Sequence, residues 1–457
     1  MSLAITSVVI AGLAVVVTMR LTTALIADRG GVRWSDLPFL SFVLLALVYL
    51  ELSPSIAMVT RSLPRIALRQ EHYVRLQLLL FVGFVPPLVF SYAWGRRREP
   101  TTARPPNPRD LLRFPWEASL VVCAVLRLVI AWRYGLWRLR IGDDVAEKTG
   151  ATPFAIYSLL RLLVEAQLPL VAASTFRLTR LKGTRFRASF VFFVLVQLLF
   201  ALLNSRFSIL YIAVAAGMGF AIGARPLIRL DRRVRRVAVA AFLTTYALGL
   251  AVLQLRASGG DRSVSTGSFN VVADNQGLNR FNCIDLSAQL AQFQRAPAGP
   301  TVWEGQLWNA KRFVDQPGFQ RFRESLATTA KTKLILRYLG QRQTDYYSCM
   351  VTDGYGALGL LGVIGLGAFC GTALRLARRL IEDPALTMVF AGIWLTWQVL
   401  VFEQEAGALL FGWPLRLPIL VALVASARRM KPTRPVLSLQ KPADPAAVMS
   451  DREGAPS

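Results

Sequence analysis

Histidine and cysteine, the side chains that most often bind zinc, are scarce in this sequence of 457 residues. Histidine occurs once, at His72, and cysteine four times, with no Cys/His cluster and no HExxH spacing. This pattern argues against a zinc centre. The sequence also has no GxxxxGK loop and no dinucleotide-binding glycine fingerprint, which argues against nucleotide chemistry. We therefore predict neither a metal nor a cofactor.

Charged residues are also few. They make up 18% of the chain, against 54% hydrophobic residues, whereas soluble domains carry about 25% charged residues. The apolar residues fall into blocks of about 20, the length that a helix needs to cross a hydrocarbon core about 30 Å thick. The composition predicts an all-α polytopic membrane protein.

The apolar blocks predict about eleven transmembrane helices, within a range of roughly ten to twelve. The predicted spans are 3–19, 37–52, 76–94, 117–134, 153–174, 188–204, 207–224, 237–254, 355–374, 385–402 and 408–427. Because residues 1–7 carry no Lys or Arg ahead of the first span, we expect a retained first helix rather than a cleaved signal peptide.

Acidic residues are outnumbered, since 53 Lys and Arg stand against 27 Asp and Glu and give a net charge of +26. The basic residues lie at the ends of apolar spans, which favours cytoplasmic loops over nucleic-acid binding. With the N-terminus outside, the arginine clusters after the third, fifth, seventh, ninth and eleventh spans all fall in the cytoplasm, as does the C-terminus. The arginines of the outer loop 53–75 break this pattern.

The chain divides into four predicted regions. Residues 1–254 hold transmembrane helices 1–8, 255–353 form a long extracytoplasmic loop, 354–430 hold helices 9–11, and 431–457 are a disordered cytoplasmic tail. Helical periodicity in the second half of 255–353 predicts a mainly helical cap on the bundle. The cap carries twelve Lys and Arg against eight Asp and Glu, which favours an anionic ligand or lipid headgroups.

The four cysteines fall into two pairs. Cys123 and Cys370 lie inside predicted spans, which indicates core packing. Cys283 and Cys349 lie in the cap, where an oxidising compartment would allow a disulfide. Whether they pair or remain free thiols is left open by the sequence.

A charged side chain inside a span must be paired or hydrated. Each charge inside a predicted span therefore belongs either to a structural ion pair or to a functional site. Arg161 and Glu165 are four residues apart and can neutralise one another on one helix face, and Arg127 is open to the same structural interpretation. Arg206 stands where two spans meet near the outer surface. Its guanidinium suits either a phosphate of a lipid-linked ligand or a lipid headgroup.

Two polar clusters in the cap suggest sugar and phosphate binding, with a solvated loop as the alternative. Tyrosine rings stack on sugars, arginine and asparagine hold phosphates and hydroxyls, and a carboxylate can accept a hydroxyl proton. The two clusters contain Arg280, Asn282 and Asp285, and Arg337, Arg342, Asp345, Tyr346, Tyr347 and Asp353. The glycines of 354–367 that follow are typical of close helix packing.

Two segments carry a family resemblance. The segment 280–286, RFNCIDL, and the segment 353–364, DGYGALGLLGVI, resemble the large outer loop and the following span of bacterial oligosaccharide repeat-unit polymerases of the Wzy type. The related O-antigen ligases are expected to use a histidine in that loop. Because His72 lies in the loop 53–75 instead, the resemblance favours the polymerase.

The resemblance implies a glycosyltransferase in the bacterial plasma membrane that polymerises undecaprenyl-pyrophosphate-linked glycans at the outer face, without metal or nucleotide. It implies Asp285, Asp345 or Asp353 as the base. It also implies membrane lipids, a polysaccharide flippase and a chain-length regulator as partners. The expected pyrophosphate- and substrate-binding residues are Arg206, Arg280, Asn282, Arg337, Arg342, Tyr346 and Tyr347.

Three other functions are compatible with the sequence. A transporter or lipid flippase predicts broken helices with charges near the midplane and an internal repeat, and no clear repeat is present. Another polyprenyl-phosphate-dependent glycosyltransferase would carry an acidic pair in the first outer loop, where Glu71 and His72 stand instead. A non-enzymatic assembly partner is the third.

Overall fold

The structure, a computed structural model, describes residues 3–27, 32–59, 70–94, 116–133, 154–179, 181–203, 212–219, 349–382 and 386–402. Apart from an isolated bridge at Arg33, the regular elements within these ranges are helices. The helices are α1 (Leu3–Ala27), α2 (Leu37–Leu47), α3 (Ser53–Val59), α4 (Gln70–Ala93), α5 (Trp116–Arg133), α6 (Phe154–Leu178), α7 (Gly183–Leu203), α8 (212–219), α9 (Met350–Leu358), α10 (Leu360–Ile381) and α11 (Leu386–Leu400).

Among the described residues, five helical stretches are long and apolar enough to cross a membrane. They are Leu3–Leu25, Trp34–Val59, Glu71–Ala93, Gly183–Phe200 and Leu360–Ile381. The stretch Trp34–Val59 comprises a 3-10 turn, α2, the π-helical segment Val48–Leu52 and α3. The prediction of an all-helical, multi-pass membrane protein is confirmed by these helices.

The outer helices present apolar side chains to their surroundings. On α1, Leu13 and Met19 are 59% and 63% exposed, and on α7 Val191 and Leu195 are similarly exposed. In water, such continuous apolar surfaces would drive aggregation. Along helices of this length they indicate contact with lipid.

Of the remaining predicted spans, some contain helices in the structure and others lie outside the described residues. Helices occupy the predicted spans 117–134, 153–174 and 385–402, and α8 lies within the predicted span 207–224. The predicted spans 237–254 and 408–427 lie outside the described residues, as do the tail and all of the cap before Cys349.

The helices α4 and α10 pack together without side chains between their backbones. A Cβ atom on Gly367 would collide with the carbonyl oxygen of Phe84, and one on Gly371 would collide with that of Leu88. Because both residue numbers rise together, the two helices run parallel. Close helix packing, the interpretation given to the glycine-rich span, is confirmed at this contact.

The helix α9 folds back on α10 as a hairpin. Gly359 joins the two helices with φ +60°, a left-handed conformation that favours glycine. The backbones touch at Gly354 and Gly362, and the Cys370 thiol lies 3.6 Å from the Met350 sulfur. Cys370 lies ten residues after Leu360, the first residue of α10. The start of α9, at Met350, therefore lies beside a point about 15 Å along the axis of α10 from its first residue.

This hairpin corrects the predicted ninth span, 355–374. Residues 355–358 belong to α9, and the membrane-length helix starts at Leu360 and runs to Ile381. Apolar content alone shows no break at Gly359, because the residues on both sides are apolar. The junction of cap and bundle, predicted at 353/354, falls inside α9.

A buried aromatic cluster lies where α11 ends. The Phe402 ring centroid is 4.7 Å from that of Tyr49, 5.5 Å from that of Phe42 and 5.9 Å from that of Phe84. The Met350 N–H donates a hydrogen bond to the Phe402 carbonyl oxygen at 3.1 Å. The start of α9 and the end of α11 therefore meet inside the bundle. Phe402, the last residue of the predicted span 385–402, is buried.

We expect Gly367→Ala to destabilise the bundle by about 1–3 kcal/mol, because the added methyl meets the α4 backbone. The matched control is Gly365→Ala, whose Cβ would meet nothing within 4 Å. Both variants gain the same helix propensity, so only the contact differs. Thermal unfolding of the purified proteins in detergent measures the effect. Equal melting temperatures for the two variants would contradict the packing described above.

Candidate functional site

Of the ten residues predicted to form the active site, Asp353 lies among the described residues. It occupies the first turn of α9, where its backbone N–H donates a hydrogen bond to the Cys349 carbonyl oxygen at 3.3 Å. A carboxylate in the first turn of a helix is stabilised by the helix dipole. The other nine lie outside the described residues: Arg206, Arg280, Asn282, Asp285, Arg337, Arg342, Asp345, Tyr346 and Tyr347.

The hairpin fixes the surroundings of Asp353. The side chain is half-buried, one residue before the Gly354–Gly362 backbone contact and three residues after Met350. Met350 meets Phe402 and Cys370, so the start of α9, where Asp353 stands, packs against the bundle. Sequence reasoning placed it in an outer loop just before a span.

The described cysteines are free thiols. Cys349 is fully buried at the start of α9, with its sulfur 3.6 Å from the Thr352 hydroxyl. Its predicted partner, Cys283, lies outside the described residues, so the disulfide stays a prediction. Cys123 and Cys370 are buried as well, which confirms core packing.

A polar cluster that sequence reasoning missed lies inside the first three membrane-length stretches. It contains Ser7 of α1, Glu51 of the π-helical segment, Ser55 of α3 and Gln77 of α4, all buried. The Gln77 amide donates to Glu51 Oε2 at 2.9 Å, and the Ser7 hydroxyl donates to Gln77 Oε1 at 2.7 Å. The signal that could have found it is an acid within the predicted span 37–52.

Two buried charges on α5 and α6 also have polar partners. Arg127 donates to Gln167 Oε1 at 2.6 Å and lies over the Phe200 ring at 4.9 Å. Glu165 accepts a hydrogen bond from the Trp394 indole at 3.2 Å. The side chain of Arg161 lies outside the described part, so its pairing with Glu165 stays a prediction. These contacts tie α5, α6, α7 and α11 together.

At one end of the bundle, an ionic network joins α2, α4 and α10. Arg378 Nε lies 3.3 Å from Asp36 Oδ1 and 3.1 Å from Glu382 Oε1. Arg33 lies 3.5 Å from Glu382, and the Tyr92 hydroxyl donates to Asp36. Two positive and two negative charges therefore balance. The three helix ends lie on one side of the bundle, as the alternation of the predicted spans requires.

The comparisons with protein-family models, with curated proteins and with solved structures found no match for this chain. The resemblance to repeat-unit polymerases therefore rests on the segments 280–286 and 353–364 alone.

We expect Arg378→Met to lower the stability of the bundle by about 3–5 kcal/mol, because it leaves the fully buried Asp36 carboxylate without its cation. Arg379→Met is the control, since Arg379 is the exposed neighbour on the same helix. The fraction of protein that stays monodisperse after heating in detergent gives the readout. If both variants survive heating equally, the network does not hold these helix ends together.

Proposed function

We propose that this chain is a membrane glycosyltransferase that polymerises undecaprenyl-pyrophosphate-linked oligosaccharide repeat units at the outer face of the bacterial plasma membrane. Its support is the resemblance of 280–286 and 353–364 to Wzy-type polymerases, together with a multi-pass helical bundle. A water-insoluble lipid-linked substrate requires an enzyme that works at the membrane surface.

The observation that carries the proposal is the position of Asp353 in the α9–α10 hairpin. The hairpin follows directly on the proposed cap, and the half-buried Asp353 stands one residue before its tight Gly354–Gly362 contact. A base for this reaction must lie where a lipid-linked pyrophosphate and an acceptor sugar can meet. The start of a span beneath a cap is such a place.

The proposed reaction needs little beyond positioning and charge. An acceptor hydroxyl oxygen bonds to the donor's anomeric carbon, the bond from that carbon to the pyrophosphate oxygen breaks, and a carboxylate takes the hydroxyl proton. The proposed base is Asp353, with Asp285 and Asp345 as the other candidates. Cationic side chains stabilise the charge that develops on the leaving pyrophosphate. In the proposal these are Arg206, Arg280, Arg337 and Arg342, with Asn282, Tyr346 and Tyr347 holding the sugars.

The number of membrane crossings and the orientation of the chain in the membrane belong to the same proposal. About eleven crossings, an N-terminus outside and a C-terminus in the cytoplasm would place the cap, 255–353, on the outer face. A polysaccharide flippase would deliver the lipid-linked units to that face, and a chain-length regulator would act on the growing polymer.

A second candidate, transport of a lipid-linked substrate, is favoured by a specific observation. The described bundle contains interrupted helices, at the π-helical segment Val48–Leu52 and at Gly359, and buried polar clusters at Glu51 and Arg127. Broken helices with buried charged groups are typical of transporters. Transport predicts substrate trapped on the cytoplasmic side when the protein is missing.

In a deletion strain that expresses Asp353→Asn, we expect long glycan chains to fall by about 100-fold or more, because the amide cannot accept a proton. Arg206→Ala and Arg280→Ala should give the same result. The matched control is Glu71→Gln, which changes an exposed carboxylate. Gel electrophoresis measures the chain lengths, and mass spectrometry measures the single lipid-linked units.

Single units should accumulate on the outer face in the three variants, whereas the control should make full-length chains. Accumulation on the cytoplasmic face would instead favour transport. Unchanged chain lengths in Asp353→Asn would remove this residue from the proposed mechanism.

The proposed orientation is tested by labelling. In a background with Cys283→Ser, a new cysteine at Ser265 should react with a membrane-impermeant maleimide in intact cells. A cysteine at Ser438 in the tail should react only after permeabilisation. The reverse pattern would place the cap in the cytoplasm, and the polymerase proposal would fail with it.

A further inference from the structure

Glu51 is the buried acid of the π-helical segment, and its side chain is 0% exposed. It lies in the membrane-length stretch Trp34–Val59. Among the described residues, the hydrogen-bond donor to its carboxyl is the Gln77 amide, which contacts Oε2 at 2.9 Å. The second oxygen, Oε1, is buried, and the described part of the chain gives it no hydrogen-bond partner.

The polar neighbours have no proton left for Oε1. The Ser7 hydroxyl donates to Gln77 Oε1 at 2.7 Å, and the Ser55 hydroxyl donates to the Ser7 carbonyl oxygen at 3.0 Å. The two amide protons of Gln77 are directed at Glu51 and at Ser55 Oγ. Each hydroxyl supplies one proton and the amide supplies two, so one amide proton is all that a carboxylate at Glu51 would receive from this cluster.

Within the described ranges, no cation is found that could replace the missing donors. The described elements packed on this segment are α1, α2, α3 and α4, and the hydrogen bonds and ion pairs of these elements bring no cation to Glu51. Besides Glu51, the charged or titratable side chains of the segment and these elements are Arg20, Tyr49, Glu71, His72, Tyr73, Arg75 and Tyr92; all are exposed except the three buried tyrosines. An unpaired carboxylate inside a membrane is strongly disfavoured, whereas the neutral acid is tolerated.

The cluster also borders the surrounding lipid. Ser55, which is hydrogen-bonded to Gln77, lines a groove of about 420 Å³ between α1 and the segment that contains Leu52 and α3. The other lining residues are apolar: Val8, Ala11, Gly12, Val15, Leu52, Ile56 and Val59. A single-turn π-helical interruption is frequent at functional sites, and here it carries the acid.

From this geometry we propose that Glu51 is an intramembrane proton-binding site, whose carboxyl carries its proton at neutral pH and is reached from the groove beside Ser55. The site lets the bundle bind or release one proton within the membrane. It stands independently of the glycosyltransferase proposal, because it uses none of the residues assigned there.

The test combines two measurements on the full-length protein in lipid bilayers. Infrared spectroscopy at neutral pH should reveal a carboxylic-acid C=O band that Glu51→Gln removes and that Glu165→Gln leaves in place. Dicyclohexylcarbodiimide, an apolar reagent that reacts with protonated carboxyls, should modify Glu51, as located by peptide mass spectrometry. The glutamine variant keeps the size and neutral charge of the acid, so we expect it to fold.

Access through the groove is tested by filling it. A Cβ atom on Gly12 meets nothing within 4 Å, so Gly12→Phe should enter the groove and reduce the modification of Glu51 several-fold. Leu13→Phe, which points to the exposed side of α1, should leave it unchanged. An infrared spectrum without the acid band, or labelling that Gly12→Phe leaves intact, would overturn the proposal.

Discussion

The interior of a bilayer offers no water to backbone or side-chain polar groups, so the protein must satisfy them itself. The described part of this chain responds to that constraint by forming helices and by gathering many of its buried polar side chains into clusters. Gln77 forms hydrogen bonds with Glu51 and with two serines, and Gln167 accepts one from Arg127. Arg378 forms ion pairs with two carboxylates. Each cluster joins at least two helices, so the requirement for partners also determines which helices pack together.

Apolar length predicted most of the described helices, because crossing a membrane imposes a minimum length that the sequence displays directly. The helix break at Gly359 could not be predicted in this way, since a glycine in an apolar run is compatible with both a straight helix and a turn. Its φ of +60° occurs together with the contact between Gly354 and Gly362. That contact depends on three-dimensional packing.

The polar clusters could not be predicted from the sequence either. Glu51 and Gln77 are 26 residues apart, and the sequence of neither segment indicates that the two side chains are in contact. For the candidate active site, sequence reasoning proposed Asp353 and assigned it to an outer loop. The structure places this residue in the first turn of α9, a short helix that turns back where a continuing span was expected.

The ionic network has a consequence for biosynthesis. Arg33 and Ser35 contact Glu382, from which they are separated by 349 and 347 residues, and Trp94 contacts Arg375 across 281 residues. At about 5–20 residues per second, the ribosome needs roughly 15–70 s to make the intervening chain. During this interval the N-terminal helices stay in the bilayer with Asp36 lacking its arginine and the α4 surface uncovered. The core of the bundle therefore closes only after α10 has been made, and shortened chains that stop before α10 cannot assemble it.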